Sequence, residues 1–195
     1  MNVVWLKRDV RLTDHEPLCL AAKCAEPTLL LYVYEPCHLQ SDTYHEAHHN
    51  FINEGLAELD EQVRALSSGG AGVTYRRGDV IEVLAELHAQ MPVRRLFSHL
   101  EVGNAISRER NEAVAAWAAA SGVEWTQCRQ DGVSDVRHEA LDEGSWASKW
   151  AAQMSMPQLP PPTDLRLVAA SSVAPGASED AAACGVVHRG ARPGA

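Results

Sequence analysis

Two short stretches carry the residue types that could do chemistry. "HEAHH" at 45–49 satisfies HExxH, a spacing that sets two imidazoles close together on one helical turn with Glu46 available as a base, as in a zinc hydrolase. Its flanks, "SDTY" and "NFINE", lack the apolar face of a helix buried beside a catalytic zinc; no HxxGxxH follows, and only Glu82 or Glu86 offers a third ligand. The other reading is a polar helix start in a chain with nine histidines, so no metal ligand is assigned and the zinc hydrolase stays an alternative. The second stretch follows the apolar run Val3–Leu6, where Lys7, Arg8, Asp9, Arg11 and Asp14 put five charges into eight positions. Thr13 or Asp14 can cap a following helix, with Glu16 completing a capping box and Pro17 tolerated in the first turn. Lys7, Arg8 and Asp9 then form either a solvated, salt-bridged turn or a ligand rim.

Which of these holds depends on the elements that carry the charges. Five apolar, β-branched stretches recur: Val3–Leu6, Thr28–Tyr34, Gly72–Tyr75, Arg95–Ser98 and Val123–Thr126. Helical periodicity lies between them. Phe51, Ile52, Leu56, Leu59, Val63 and Leu66 share one face; Val80, Val83, Leu84 and Leu87 follow a cap at Asp79, and 105–120 follow a cap at Asn104. Such alternation specifies an α/β domain over 1–131: a doubly wound, five-stranded parallel sheet, Rossmann-like, in three α/β/α layers. Ligands of such sheets sit beyond the carboxyl ends of the strands. The loops after the first, second and fourth strands would then enclose a crevice, which makes Lys7, Arg8, Asp9, Arg11, Glu35, Pro36 and Glu101 the candidate binding residues. Acidic and basic groups together suit a small molecule with anionic and amide-like parts. No GxGxxG or GxxxxGK[ST] follows the first strand, so neither phosphate cradle is supported, although a generic nucleotide-binding α/β module remains an alternative. No catalytic residue is assigned.

Composition narrows the classes. With 46% apolar and 22% charged residues and no apolar run near 18, the chain reads as a folded soluble protein with no membrane partner. Five cysteines without CxxC spacing suggest reduced thiols in the cytoplasm, and basic residues follow the first apolar run where a secretory signal would have them precede it. A net charge of −9 opposes attraction to nucleic acid. Residues 132–168 read as a connector, with Trp146 and Trp150 as an apolar stripe and "PQLPPP" at 157–162 blocking regular structure; 169–195, rich in Ala, Gly, Ser and Pro, is expected to be disordered or frameshifted.

"VVWLKRDVRLTDHEPL" resembles the opening of the photolyase and cryptochrome family, "LLLYVYEP" at 29–36 its second strand, 98–133 its fourth strand, helix and fifth strand, and "GSWASKWAAQMSMPQLPPP" its connector between domains. The chain departs from that pattern at His15, where the family has Asn, and in the acidic "VSDVRHEALDEG". The resemblance implies a domain that can hold an antenna chromophore (a folate, a deazaflavin or a flavin), with light-driven repair of pyrimidine dimers or blue-light sensing as the parent function. It also implies that FAD and damaged DNA belong to a C-terminal helical domain, which this sequence is expected to stop short of. The oligomeric state is left open.

Overall fold

β1 (Asn2–Leu6) has no exposed residue, and its alternate side chains enter two different cores. Val3 and Trp5 point to one face and Val4 and Leu6 to the other, as the two-residue period of a strand requires. β2 (Thr28–Tyr34) is likewise buried throughout, with Leu29, Leu31 and Val33 on the first face and Leu30, Tyr32 and Tyr34 on the second. Continuous apolar strands of this kind belong at the centre of a parallel sheet covered on both sides. In the computed structural model, which describes residues 1–67, 69–130 and 143–169, they occupy that place.

All five strands are parallel, in the order β3-β2-β1-β4-β5, with β3 at Thr74–Arg77, β4 at Arg95–His99 and β5 at Glu124–Cys128. Trp5 stands beside Leu31 of β2, and Val4 beside Phe97 of β4. One face is covered by α1 (Glu16–Lys23) and, beyond the short α2 (Pro36–Leu39), by α3 (Glu46–Leu66); the other by α4 (Val80–Gln90) and α5 (Ala105–Ser121). This is the three-layer, doubly wound arrangement expected from the alternating pattern. Asp79 and Asn104 cap α4 and α5, and Gly122 closes α5 at φ +67°, where a side chain would be strained.

Three local expectations shift. β3 starts at Thr74 and not at Gly72, because Val73 N–H donates to Asp60 Oδ1 of α3 (2.7 Å) and holds the preceding backbone off the ladder. A Cβ at Gly72 would lie 2.1 Å from that same oxygen. The cap of α1 is neither Thr13 nor Asp14 but His15, whose Nδ1 accepts Leu18 N–H (3.2 Å). Asp14, at φ +54°, turns outward and exchanges hydrogen bonds with the backbone of Leu159. In α3, Phe51 and Leu66 share the periodicity of the core residues yet are exposed. A 21-residue helix is about 30 Å long, whereas strands of five to seven residues reach only about 17–23 Å, so both ends of α3 overhang the sheet.

The stretch assigned to a connector is partly anchored. Thr28 N–H donates to Arg166 O (2.9 Å), Val168 N–H to Thr28 O (3.0 Å), and Leu165 and Leu167 pack on the α1–α3 face. Ahead of it, α6 (Glu143–Met154) stacks Trp146 on Trp150 with ring centroids 6.4 Å apart, both half exposed. The expectations for 132–142 and for the tail from 170 lie outside the described residues. Because Leu167 is only partly buried, Leu167→Ala should cost about 1–2 kcal/mol in urea unfolding. An unchanged midpoint would show that this strap does not hold the domain.

Candidate functional site

The chain leaves β1 toward β2 on one side and β4 lies on the other, so the carboxyl ends of β1 and β4 mark the point where the winding reverses. A cleft of about 640 Å³ opens there. Its floor is ionic. Arg110, in the second turn of α5, donates from Nη1 to Glu35 Oε2 (2.6 Å), at the end of β2, and from Nη2 to Glu101, after β4. Its guanidinium lies 4.9 Å from the ring centre of Trp5, and Lys7 Nζ lies 4.5 Å from the same ring while donating to His99 O (3.0 Å) and Asn111 Oδ1 (3.4 Å). Burial, helped by Arg110, lowers the Lys7 ammonium to about 8. Burial raises the Glu35 carboxyl against the opposing pull of Arg110.

Four of the seven candidate residues meet at this cleft: Lys7, Arg8, Glu35 and Glu101. Glu101 is not a solvated loop carboxylate, since only 8% of its side chain is exposed and it also meets Arg8 Nε (3.4 Å) and Ser107 Oγ (3.3 Å). The other three lie elsewhere. Pro36 opens α2 without lining the cleft. Arg11 bonds Asp14 O and Gln130 Oε1, away from it. Asp9 turns into the protein beneath the floor, where Oδ1 accepts Lys7 N–H (2.8 Å) and Oδ2 lies 2.5 Å from His99 Nδ1 and 3.0 Å from His15 Nε2.

The facing wall comes from the overhanging start of α3 and was not foreseen. "HEAHH" lies on it: His45, His48 and His49 line the cleft with Tyr44 and Phe51. His45 caps α3, its Nδ1 accepting Ala47 N–H (3.1 Å), and His49 packs against the rings of Tyr34 and Tyr44. Arg110 and His38 were also missed. The signal available for Arg110 was its place six residues after the Asn104 cap, early in the helix leaving β4.

Two other groups have metal-ligand chemistry among the described residues, and neither includes the HEAHH histidines. In Glu35, Cys37 and His38, the cation's place is taken by Arg110, whose Nη1 is 3.0 Å from His38 Nε2. In Asp9, His15 and His99, the cap bond to Leu18 leaves His15 Nδ1 without a hydrogen, so Nε2 keeps its proton and is a donor rather than a ligand. Both groups read as hydrogen-bonded clamps. Burial also raises the thiols of Cys19 and Cys37, and that of Cys128 to about 12, so none of these is an activated nucleophile.

The DNA photolyase family model matches residues 2–148. Among curated proteins, cryptochrome DASH of Gloeobacter violaceus is 28% identical over 105 residues, covering 51% of this chain and 20% of the relative. Among solved structures, an archaeal photolyase from Sulfolobus tokodaii, described with two FAD molecules that imply a novel light-harvesting cofactor, superposes with TM-score 0.65 at 17% identity over 89% of this chain and 40% of its own. A Synechocystis cryptochrome gives 0.67 at 18% identity, over 86% and 37%. This chain thus spans about a fifth of the curated relative and well under half of each solved structure.

The clamp beneath the floor makes the domain acid-sensitive in two steps. Burial lowers the His15 imidazole against the pull of Asp9. Burial alone would raise the Asp9 carboxyl, but its contacts with His15 and His99 hold it well below the usual range. On both groups the folded state binds fewer protons than the unfolded chain, so their stabilisation is complete above the ordinary imidazole value of 6.5. It is lost first through His15 as pH falls below 6.5 and then through Asp9 below 3.8. Urea midpoints measured from pH 8 to pH 3 should therefore decline from about 6.5 downward, and His15→Asn, which keeps a cap acceptor, should remove the upper step. A flat profile above pH 5 would contradict this assignment.

Proposed function

The chain belongs to the DNA photolyase family, and we propose that its α/β domain binds a light-harvesting chromophore, a flavin, deazaflavin or folate, in the cleft between β1, β4 and the start of α3. The observation that supports this most is the cleft itself. Its volume suits a cofactor-sized ligand, and it sets an aromatic and histidine wall opposite a floor of charged hydrogen-bonding groups. A flat ring system with an apolar face and a polar edge of carbonyls and N–H groups matches both sides. The Sulfolobus tokodaii photolyase, whose two FAD molecules imply a light-harvesting cofactor, is consistent with such an occupant.

The parent activity that accompanies this reading is light-driven repair of pyrimidine dimers in DNA, or blue-light sensing. In it, excitation collected here passes to FAD in a helical domain, and damaged DNA is contacted through that domain rather than this acidic one, whose chain carries −9. Within the chain, the floor residues orient the polar edge of the chromophore and Tyr44 covers part of its face.

Titrating the full chain with flavin mononucleotide, a deazaflavin and a reduced folate should give saturable binding of at least one, seen in its absorbance band and in quenching of tryptophan fluorescence. Tyr44→Ala should weaken binding about tenfold, the value of one good aromatic contact. Arg11→Ala, outside the cleft, should leave the affinity as it was. Absence of binding by all three, or equal losses in the two variants, would sink the reading.

A further inference from the structure

Lys7 is a buried cation without a carboxylate partner. Arg110 takes both Glu35 and Glu101, and Lys7 has no ion pair among the described residues. Its ammonium donates to uncharged acceptors alone, His99 O at 3.0 Å and Asn111 Oδ1 at 3.4 Å. The residue is 7% exposed, and its nitrogen stands against two indoles, 4.5 Å from the ring centre of Trp5 and 5.7 Å from that of Trp125. The Arg110 guanidinium lies 4.9 Å from the same Trp5 ring, so a second cation shares that indole.

A charge so placed costs free energy that no contact with a carboxylate offsets, and giving up a proton removes the cost. Burial is the larger cause that lowers Lys7 to about 8, with Arg110 adding to it, while Glu101, Asp9 and Glu35 pull the other way. About a tenth of Lys7 is then neutral at pH 7, against roughly one in two thousand for an ordinary lysine. Desolvation beside a second cation is a recognised way of turning a lysine into a nucleophile. His99 O and Asn111 Oδ1 account for the two hydrogens of the neutral amine, and no donor among the described residues engages its lone pair. A reactant has room to enter, since Lys7 lines the cleft of about 640 Å³ together with the exposed rings of Tyr44 and Phe51.

We infer that Lys7 is a nucleophilic amine that captures an aromatic aldehyde in the cleft as a Schiff base. The exposed rings of the wall suit an aromatic reactant, and an aldehyde is the carbonyl least hindered at an amine this buried. In the step, the nitrogen lone pair attacks the carbonyl carbon, a C–N bond forms, and the carbonyl oxygen takes one proton from nitrogen to give a carbinolamine. The C–O bond then breaks, and the oxygen leaves as water with the second nitrogen proton, closing the C=N bond. No oxidant or reductant is consumed. The inference goes beyond the chromophore reading and does not rest on it.

The chain has three lysines, so the outcome is read residue by residue, with the exposed Lys23 and Lys149 as internal references. The full chain is incubated at pH 7 with pyridoxal 5′-phosphate and cyanoborohydride, which reduces the imine to a stable secondary amine. Peptide mass spectrometry should show Lys7 labelled about tenfold faster than either reference. Fragment ions separate Lys7 from the α-amine of Met1, which donates to Pro92 O at the other end of β1. The Lys7 rate should rise with pH along a curve with its midpoint near 8. In urea the preference should vanish, because burial is its cause. Lys7→Arg, which keeps the charge and removes the nucleophile, should leave labelling of Lys23 and Lys149 as it was. Equal rates at the three lysines of the folded chain, no label on Lys7, or a preference that survives urea would overturn the inference. Failure to bind flavin, deazaflavin and folate would overturn the chromophore reading and leave this one standing.

Discussion

The cleft depends on one buried cation. Arg110 carries its guanidinium into a place where only 8% of the side chain is exposed, and a charge taken out of water at that depth costs several kcal/mol unless it is paired and hydrogen-bonded. It is paired twice, and its two partners stand on loops that leave different strands, Glu35 after β2 and Glu101 after β4, with the Trp5 ring of β1 against it. A helix residue thereby fixes the relative positions of three strand ends. The arrangement contributes less to net stability than to geometry, because the cost of taking the charges out of water offsets much of their attraction. Lys7 is held by the same set: its ammonium lies against the same indole, and burial, with the neighbouring guanidinium, lowers it to about 8.

The layout of the sheet was readable because the signals for it are local. The largely apolar, fully buried β1 and β2, the helical spacings at 80–87 and 105–120, and the caps at Asp79 and Asn104 each follow from backbone and burial preferences acting within a few residues. Where expectation and structure part, a distant residue intervened. Thr13 and Asp14 have good capping chemistry, but Asp14 is drawn off by Leu159, 145 positions away, and a histidine takes the cap. The start of β3 was set by Asp60 of the preceding helix.

The site was readable only in part, for a similar reason. Topology alone brings Lys7, Arg8, Glu35 and Glu101 to one edge, because each follows a strand of a parallel sheet. It does not say which way a loop side chain turns. Asp9 went inward because two imidazoles and a backbone N–H offered a carboxylate three donors under the floor, and Arg11 went sideways to a carbonyl. The histidine motif had the right spacing for a metal, but one of its imidazoles was already used to cap the helix.

The depth of the cleft has a cause that neither charge nor motif supplies, namely the length of α3. A helix matched to the strands would end flush with the sheet and leave the ionic floor open to solvent on that side. The overhang raises a wall at its N-terminal end, and Asn104 Nδ2 donates to Thr43 Oγ1 (3.1 Å), linking the loop before α3 to the loop before α5 beside the cleft. Two kinds of construction therefore meet in one site. The floor is fixed by ion pairs between strand ends, which tolerate little movement, and the wall is set by how far a helix runs past the strands it covers. Changes in the first would disturb the fold, whereas Phe51 and the His45–His48 pair on the overhang belong to neither core and are free to vary the facing wall of the cleft. The exposed Phe51 and the paired rings of His45 and His48 stand on that part of the helix, where the periodicity of the core no longer constrains them.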